Sequence, residues 1–217
     1  LLLILVAPSF AAKVDTLLVN SPSMNKDVQV VVVTPDAALG KKAVACPVIY
    51  LLHGYGGNAK TWIGVKPDLP QIADEKGIIF VCPDGKNSWY WDSPKDPSYR
   101  YETFVSSELV KYIDGHYKTI ADRKGRAITG LSMGGHGAMW NAIRHKDTFG
   151  AGGSTSGGVD IRPFPLNWDM SKQLGEFAYN KKVWDEHTVI NQIDKIENGD
   201  LAIIIDCGEA DFFLNVN

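Results

Sequence analysis

Cysteine is scarce, three in 217 residues, and Cys46, Cys82 and Cys207 show none of the paired spacing of a metal site. An odd count excludes a full disulfide framework. They read as small core residues, with one disulfide open to them in an oxidising compartment. An excess of charge of one sign is also lacking: the net charge is −3 and the basic residues form no stripe, which argues against nucleic acid as a partner. There is no internal repeat and no low-complexity tract, and the 21 glycines and 11 prolines punctuate the apolar runs as turns. No apolar run is long enough to span a membrane. What is present is an ordinary globular mixture, 45% apolar and 22% charged, of a length that fits one domain with a sizeable core.

The chain opens on "LLLILVAPSFAAKVDT", an apolar stretch followed by small residues around Ser9, Ala11 and Ala12, as at the end of a secretory signal peptide. Leu1 is no initiator methionine, so the sequence is expected to begin inside a longer precursor. Residues 1–12 are expected to be the signal remnant, 13–217 the single domain, and the protein to be secreted or periplasmic without membrane insertion of the mature chain. A buried N-terminal strand is the alternative.

"DTLLVNSPSMNKDVQVVVVTPDAALGKK" predicts an antiparallel hairpin. "CPVIYLLHGYGG" and "IIFVCPDG" are short continuous apolar runs, the mark of strands covered on both faces, with a helix over "LPQIADEKG" between them. "YETFVSSELVKYIDGHY" is amphipathic, with Phe104, Leu109, Tyr112 and Ile113 near one face. Strand "KGRAITGLS", helix "GGHGAMWNAIRHK", strand "FGAGGSTSG", a helical stretch at 188–198 and strand "LAIIIDCG" follow. Buried strands alternating with helices require an α/β fold. Its central sheet is mostly parallel, with antiparallel strands at the N-terminal edge and helices on both faces. Residues 160–187, rich in Pro, Trp and Phe, break the alternation and predict an excursion over the sheet.

"ITGLSMGGHGAM", residues 128–139, carries the chemistry. Gly130, Ser132 and Gly134 form the GxSxG pattern, whose glycines permit a sharp strand-to-helix turn that lifts a serine hydroxyl above the sheet. A helix N-terminus behind Ser132 favours the negative charge that develops in acyl transfer. The oxyanion needs two N–H donors. One is expected from Met133, the other from the Gly54, Gly56, Gly57 loop, with the Tyr55 amide first choice and the Gly56 amide second. An acid is expected after a late strand, where "IIIDCGEADFF" offers Asp206, Glu209 and Asp211, position alone leaning to Asp211. Trp89, Tyr90 and Trp91 in "NSWYWDSP" either stack on an aromatic acyl group or sugar ring, with Trp89 and Tyr90 as the substrate contacts, or pack under a loop.

Taken in order, "PVIYLLHGYGGNAKTWI", "VCPDGKNSWYWDSP", "YETFVSSELVKYID", "RAITGLSMGGHGAM", "FGAGGSTSGG" and "DCGEADFF" resemble the putative esterase family of α/β-hydrolases. That family is similar to esterase D (S-formylglutathione hydrolase), to the feruloyl and acetylxylan esterases of carbohydrate esterase family 1, and to the mycolyltransferases. The resemblance runs from about Asp15 to the end. It implies an α/β-hydrolase fold and a serine hydrolase of triad order Ser, Asp, His, with no metal and no organic cofactor. It makes Ser132 the nucleophile, Asp211 the acid, and the Tyr55 and Met133 amides the oxyanion hole.

The family's histidine follows the acid, whereas His53, His116, His136, His145 and His187 all precede Asp211. The base is therefore expected beyond Asn217, leaving this stretch inactive and less stable or self-associating. His136, one turn into the elbow helix, is expected to pack or wall the pocket, His53 to support the oxyanion loop, His116 and His145 to sit on the surface or cap helices, and His187 to line the pocket. The expected substrate is a small or polysaccharide-linked ester, feruloyl or acetyl. An S-formylglutathione hydrolase-like esterase, a sugar acyltransferase and a non-catalytic carbohydrate-binding relative are the alternatives, and oligomeric state stays open.

Overall fold

A computed structural model describes residues 12–217, so almost all of the expected signal remnant lies outside the described residues. Seven strands form one sheet in the order β1-β2-β4-β3-β5-β6-β7. They are β1 Lys13–Ser21, β2 Lys26–Thr34, β3 Val48–Leu52, β4 Ile79–Pro83, β5 Arg126–Gly130, β6 Ala151–Thr155 and β7 Ala202–Asp206. β1 and β2 are the antiparallel hairpin, and β2 also runs antiparallel to β4; every other pairing is parallel. The sheet is therefore mostly parallel with an antiparallel edge, as the alternation of buried runs and helices requires.

Successive strand side chains point to opposite faces, and both faces of the central strands are covered. Val30 and Val32 of β2, Tyr50 and Leu52 of β3, Val81 of β4 and Ile128 of β5 share one core with Phe104, Leu109, Ile113, Met139 and Trp140. Val31 and Val33, Leu51, Phe80 and Cys82 face the other way, onto Ala59, Leu69 and Ala73. The second layer holds α1 Thr61–Val65 and α2 Leu69–Lys76, whose C-cap Gly77 takes φ +63. The first layer holds α3 Tyr101–Thr103, α4 Leu109–His116 and α5 Met133–Arg144.

Between α3 and α4 the amphipathic segment passes through one π-helical turn, Phe104–Glu108. Ser106 hydroxyl donates to the Glu102 carbonyl at 2.7 Å, the back-bonding that bends helices, and the extra residue per turn buries Phe104, Val105 and Leu109 together. The excursion contains two short helices, α6 Met170–Leu174 and α7 Lys181–Glu186, and 188–198 is 3-10 helix over Val189–Lys195. All three cysteines are free thiols; Cys46 and Cys82 are buried, but Cys207 is not a core residue. Along β7 every residue is exposed, Ile204 at 74%.

Candidate active site

Ser132 joins β5 to α5 with φ +57 and ψ −120, a conformation that side-chain-bearing residues rarely adopt. Three backbone bonds hold it: Ser132 N–H to the Thr155 carbonyl at 2.9 Å, Gly134 N–H to Leu131 at 2.8 Å, and His136 N–H to the Ser132 carbonyl at 3.0 Å. The flanking glycines answer to backbone contact. A Cβ on Gly134 would stand 2.2 Å from the Leu52 carbonyl oxygen, and one on Gly130 would stand 2.3 Å from the Gly134 carbonyl. No other residue lets α5 start this close to β3. Ser132 is half-buried while Met133 through Ile143 behind it are buried, so the residue stands where solvent still reaches the end of β5.

The loop after β3 runs beside the serine: a Cβ on Gly54 would lie 3.5 Å from the Ser132 Cβ. Gly56 N–H is taken by the Asn87 side-chain oxygen at 2.8 Å, whereas the N–H groups of Tyr55 and Met133 have no acceptor among the described residues. His53 underlies this loop with both ring nitrogens committed, Nδ1 at 2.7 Å from the Gly54 carbonyl and Nε2 accepting from Gly85 N–H at 2.9 Å. A carbonyl only accepts and an amide only donates, so these partners assign a neutral ring protonated on Nδ1.

Asp211 lies on the loop after β7, where its Oδ1 accepts from Phe213 N–H at 2.8 Å. Asp206 ends β7 exposed, and it is its main-chain carbonyl that ties the loop, accepting from Ser156 N–H at 2.7 Å. No histidine hydrogen-bonds Ser132 or Asp211 among the described residues. His136 is fully buried, its Nδ1 2.8 Å from the Gly158 carbonyl and its ring edge-on to Trp89 and Trp91 at 5.1 Å, and burial pushes its pKa down to about 4. His187 Nδ1 bonds the Val183 carbonyl and its ring stacks on Trp140 at 5.6 Å; burial lowers its pKa. His116 bonds the Tyr112 carbonyl. His145 does more than cap α5, because its Nε2 lies 2.9 Å from Glu102 Oε1.

Glu102 is the hub of a separate polar cleft of about 1070 Å³, lined by Arg144, His145, His187 and Gln192 among others, with no part in it for Ser132. Burial raises the Glu102 pKa, but hydrogen bonds from His145 and Arg144 and the arginine's charge outweigh this and hold it at about 2. Among the described residues no three His, Cys, Asp or Glu side chains gather as a metal site.

Of the two readings of the tryptophan loop, packing is the one found. Trp89 and Tyr90 are 1% and 0% exposed, so neither offers a face for a ligand to stack on. Tyr90 is wedged between two glycines, since a Cβ on Gly85 or Gly137 would come within 2.3 Å of its ring. An aromatic surface is built instead by Phe164, Trp168 and Phe212, with Trp168 stacked on Phe212 at 5.7 Å and 20°, and it joins the loop after β3 through Asp169, whose Oδ2 accepts from the Tyr55 hydroxyl at 2.7 Å. Trp89 supports it from below, its indole N–H donating to the Trp168 carbonyl at 3.2 Å. The Pro, Trp and Phe content of the excursion was the available signal; without a period, it could not say which rings face outward.

Among curated relatives, the chain is 28% identical over 193 residues to an esterase of Mycobacterium tuberculosis, covering 79% of this chain and 41% of that protein. It thus spans about two fifths of that relative's length. S-formylglutathione hydrolase of Bos taurus is 26% identical over 203 residues, 83% of this chain and 68% of that one. A solved ferulic acid esterase superposes with a TM-score of 0.77 at 29% identity, covering 95% of this chain and 83% of that one. Residues 21–217 match the family described as "Putative esterase", and with its sheet and helices the chain belongs to that family of α/β-hydrolase esterases.

Proposed function

We propose that the protein is a serine carboxylesterase acting through an acyl-enzyme, with Ser132 as nucleophile. The observation that carries this is the strained Ser132 backbone at the mouth of α5, beside the Gly54 loop with its uncommitted Tyr55 amide. Ser132 attacks the ester carbonyl, the Tyr55 and Met133 amides hold the oxyanion, the alcohol leaves, and water releases the acid. Asp211 orients the base. Each of the five histidines is engaged elsewhere, which supports a base histidine supplied from outside residues 1–217.

The aromatic surface of Phe164, Trp168 and Phe212, joined to the Tyr55 loop through Asp169, supports an aromatic acyl group over acetyl, as in feruloyl esters linked to polysaccharide. The leading apolar run supports export to where such polymers lie. Hydrolysis of methyl ferulate and p-nitrophenyl acetate by these 217 residues, by the protein extended past Asn217, and by its Ser132→Ala variant is the test. Turnover is expected in the extended protein alone, with a ferulate preference, and a drop of at least about 10³-fold on Ser132→Ala. Retained turnover in Ser132→Ala would overturn the assignment.

A further inference from the structure

The oxyanion loop is tied down from outside at its tip. The Tyr55 phenol donates to Asp169 Oδ2 at 2.7 Å, across 114 positions of sequence. The second carboxylate oxygen, Oδ1, pairs with Lys172 at 3.0 Å. These bonds act on the charges as expected, the Tyr55 hydrogen bond and Lys172 lowering the Asp169 pKa while the same bond raises that of Tyr55.

Asp169 reaches this position through an unusual backbone. Trp168 and Asp169 are consecutive non-glycine residues at φ +49 and +56, a left-handed conformation that side-chain-bearing residues seldom adopt and that the surroundings must enforce. The Trp89 indole N–H on the Trp168 carbonyl enforces it from below, and Phe212 and Phe213 packed on the Trp168 ring do so from the side. Tyr55 itself is 38% exposed, so its phenol is not held by burial. Asn87 fixes the next residue through Gly56 N–H. Tyr55 is thus anchored on one side through its neighbour's amide and on the other through its own hydroxyl, with its N–H left over.

We propose that Asp169 is a positioning residue: its bond to the Tyr55 phenol keeps the Tyr55 N–H aimed at the oxyanion above Ser132, joining the excursion to the catalytic turn. The inference rests on Ser132 and the Tyr55 amide acting as proposed above. A misaimed donor weakens the transition state and leaves ground-state binding alone, so the loss falls on kcat.

The experiment is steady-state kinetics of the active, extended protein with Tyr55→Phe, Asp169→Ala, Asp169→Asn and the Tyr55→Phe/Asp169→Ala double variant. Either of the first two is expected to lower kcat about 10-fold with KM within twofold, since a displaced donor costs less than a deleted one. The loss should be equal for p-nitrophenyl acetate and methyl ferulate, because the oxyanion is common to both. The double variant should be no worse than either single, and Asp169→Asn, which still accepts, should recover part of the rate. Unchanged kcat, a loss confined to the KM for ferulate, or multiplicative losses in the double variant would each overturn the proposal. Turnover surviving Ser132→Ala would instead fell the hydrolase reading beneath it.

Discussion

His136 stands one turn past Ser132, fully buried, its Nδ1 on the Gly158 carbonyl and its Nε2 without a partner. Its pKa falls from 6.5 to about 4 on folding. A depressed folded value means the unfolded chain takes up the proton first, so stability is intact above pH 6.5 and drains away as pH falls towards 4. The shift corresponds to about 3 kcal/mol over that window. Urea melts at pH 7 and 4.5 should show His136→Asn, which keeps a donor for Gly158 and does not titrate, losing less stability on acidification than the parent; parallel losses would refute the assignment. That this histidine packs inside the fold was legible in its helical position. Its aromatic box was not, because Trp89 and Trp91 arrive from 40-odd positions away and only the fold says which rings turn inward. Asp169 was invisible for the same reason: nothing near it in sequence marks a partner for Tyr55.

The elbow helix shows at the scale of an element what the pattern of glycines encodes. Gly134 meets β3 backbone and Gly137 meets the Tyr90 ring, whereas Gly115, inside α4, faces open space with nothing within 4 Å. The same substitution should therefore have opposite signs. Gly134→Ala should destabilise by about 1–3 kcal/mol or more, as overpacking against a backbone that cannot yield. Gly115→Ala should stabilise by roughly 0.5–1 kcal/mol through lower unfolded-state entropy. Thermal or denaturant melts decide it, and two losses of equal size would show that the contacts do not govern. Strands and the elbow were readable because their demands are local: buried runs of Val and Ile, glycine at fixed spacing, a cap at Gly77. The π turn at Phe104–Glu108 was not, since helical periodicity in sequence cannot register one residue slipped within a turn.

In the molecule as a whole, the two edges of the sheet are unlike. β1 and β2 are nine-residue strands of one hairpin, paired with each other at every position, while β7 presents Ile203, Ile204 and Ile205 to solvent on both faces. An exposed apolar edge invites pairing between copies, so these 217 residues should self-associate in a concentration-dependent way. Ile204→Lys should reduce this in light scattering; equal scattering from both would show that the edge is not responsible. The three cysteines, unremarkable as chemistry, give the fold its own gauge. Burial lifts the Cys82 thiol to about 12 and raises Cys46 as well, while Cys207 lies partly open four residues before Asp211. A thiol reagent should therefore count one equivalent in the native protein and three in denaturant, so unfolding can be followed as a stoichiometry, and a dye on the one thiol open in the native protein would report from the doorstep of the Asp211 loop.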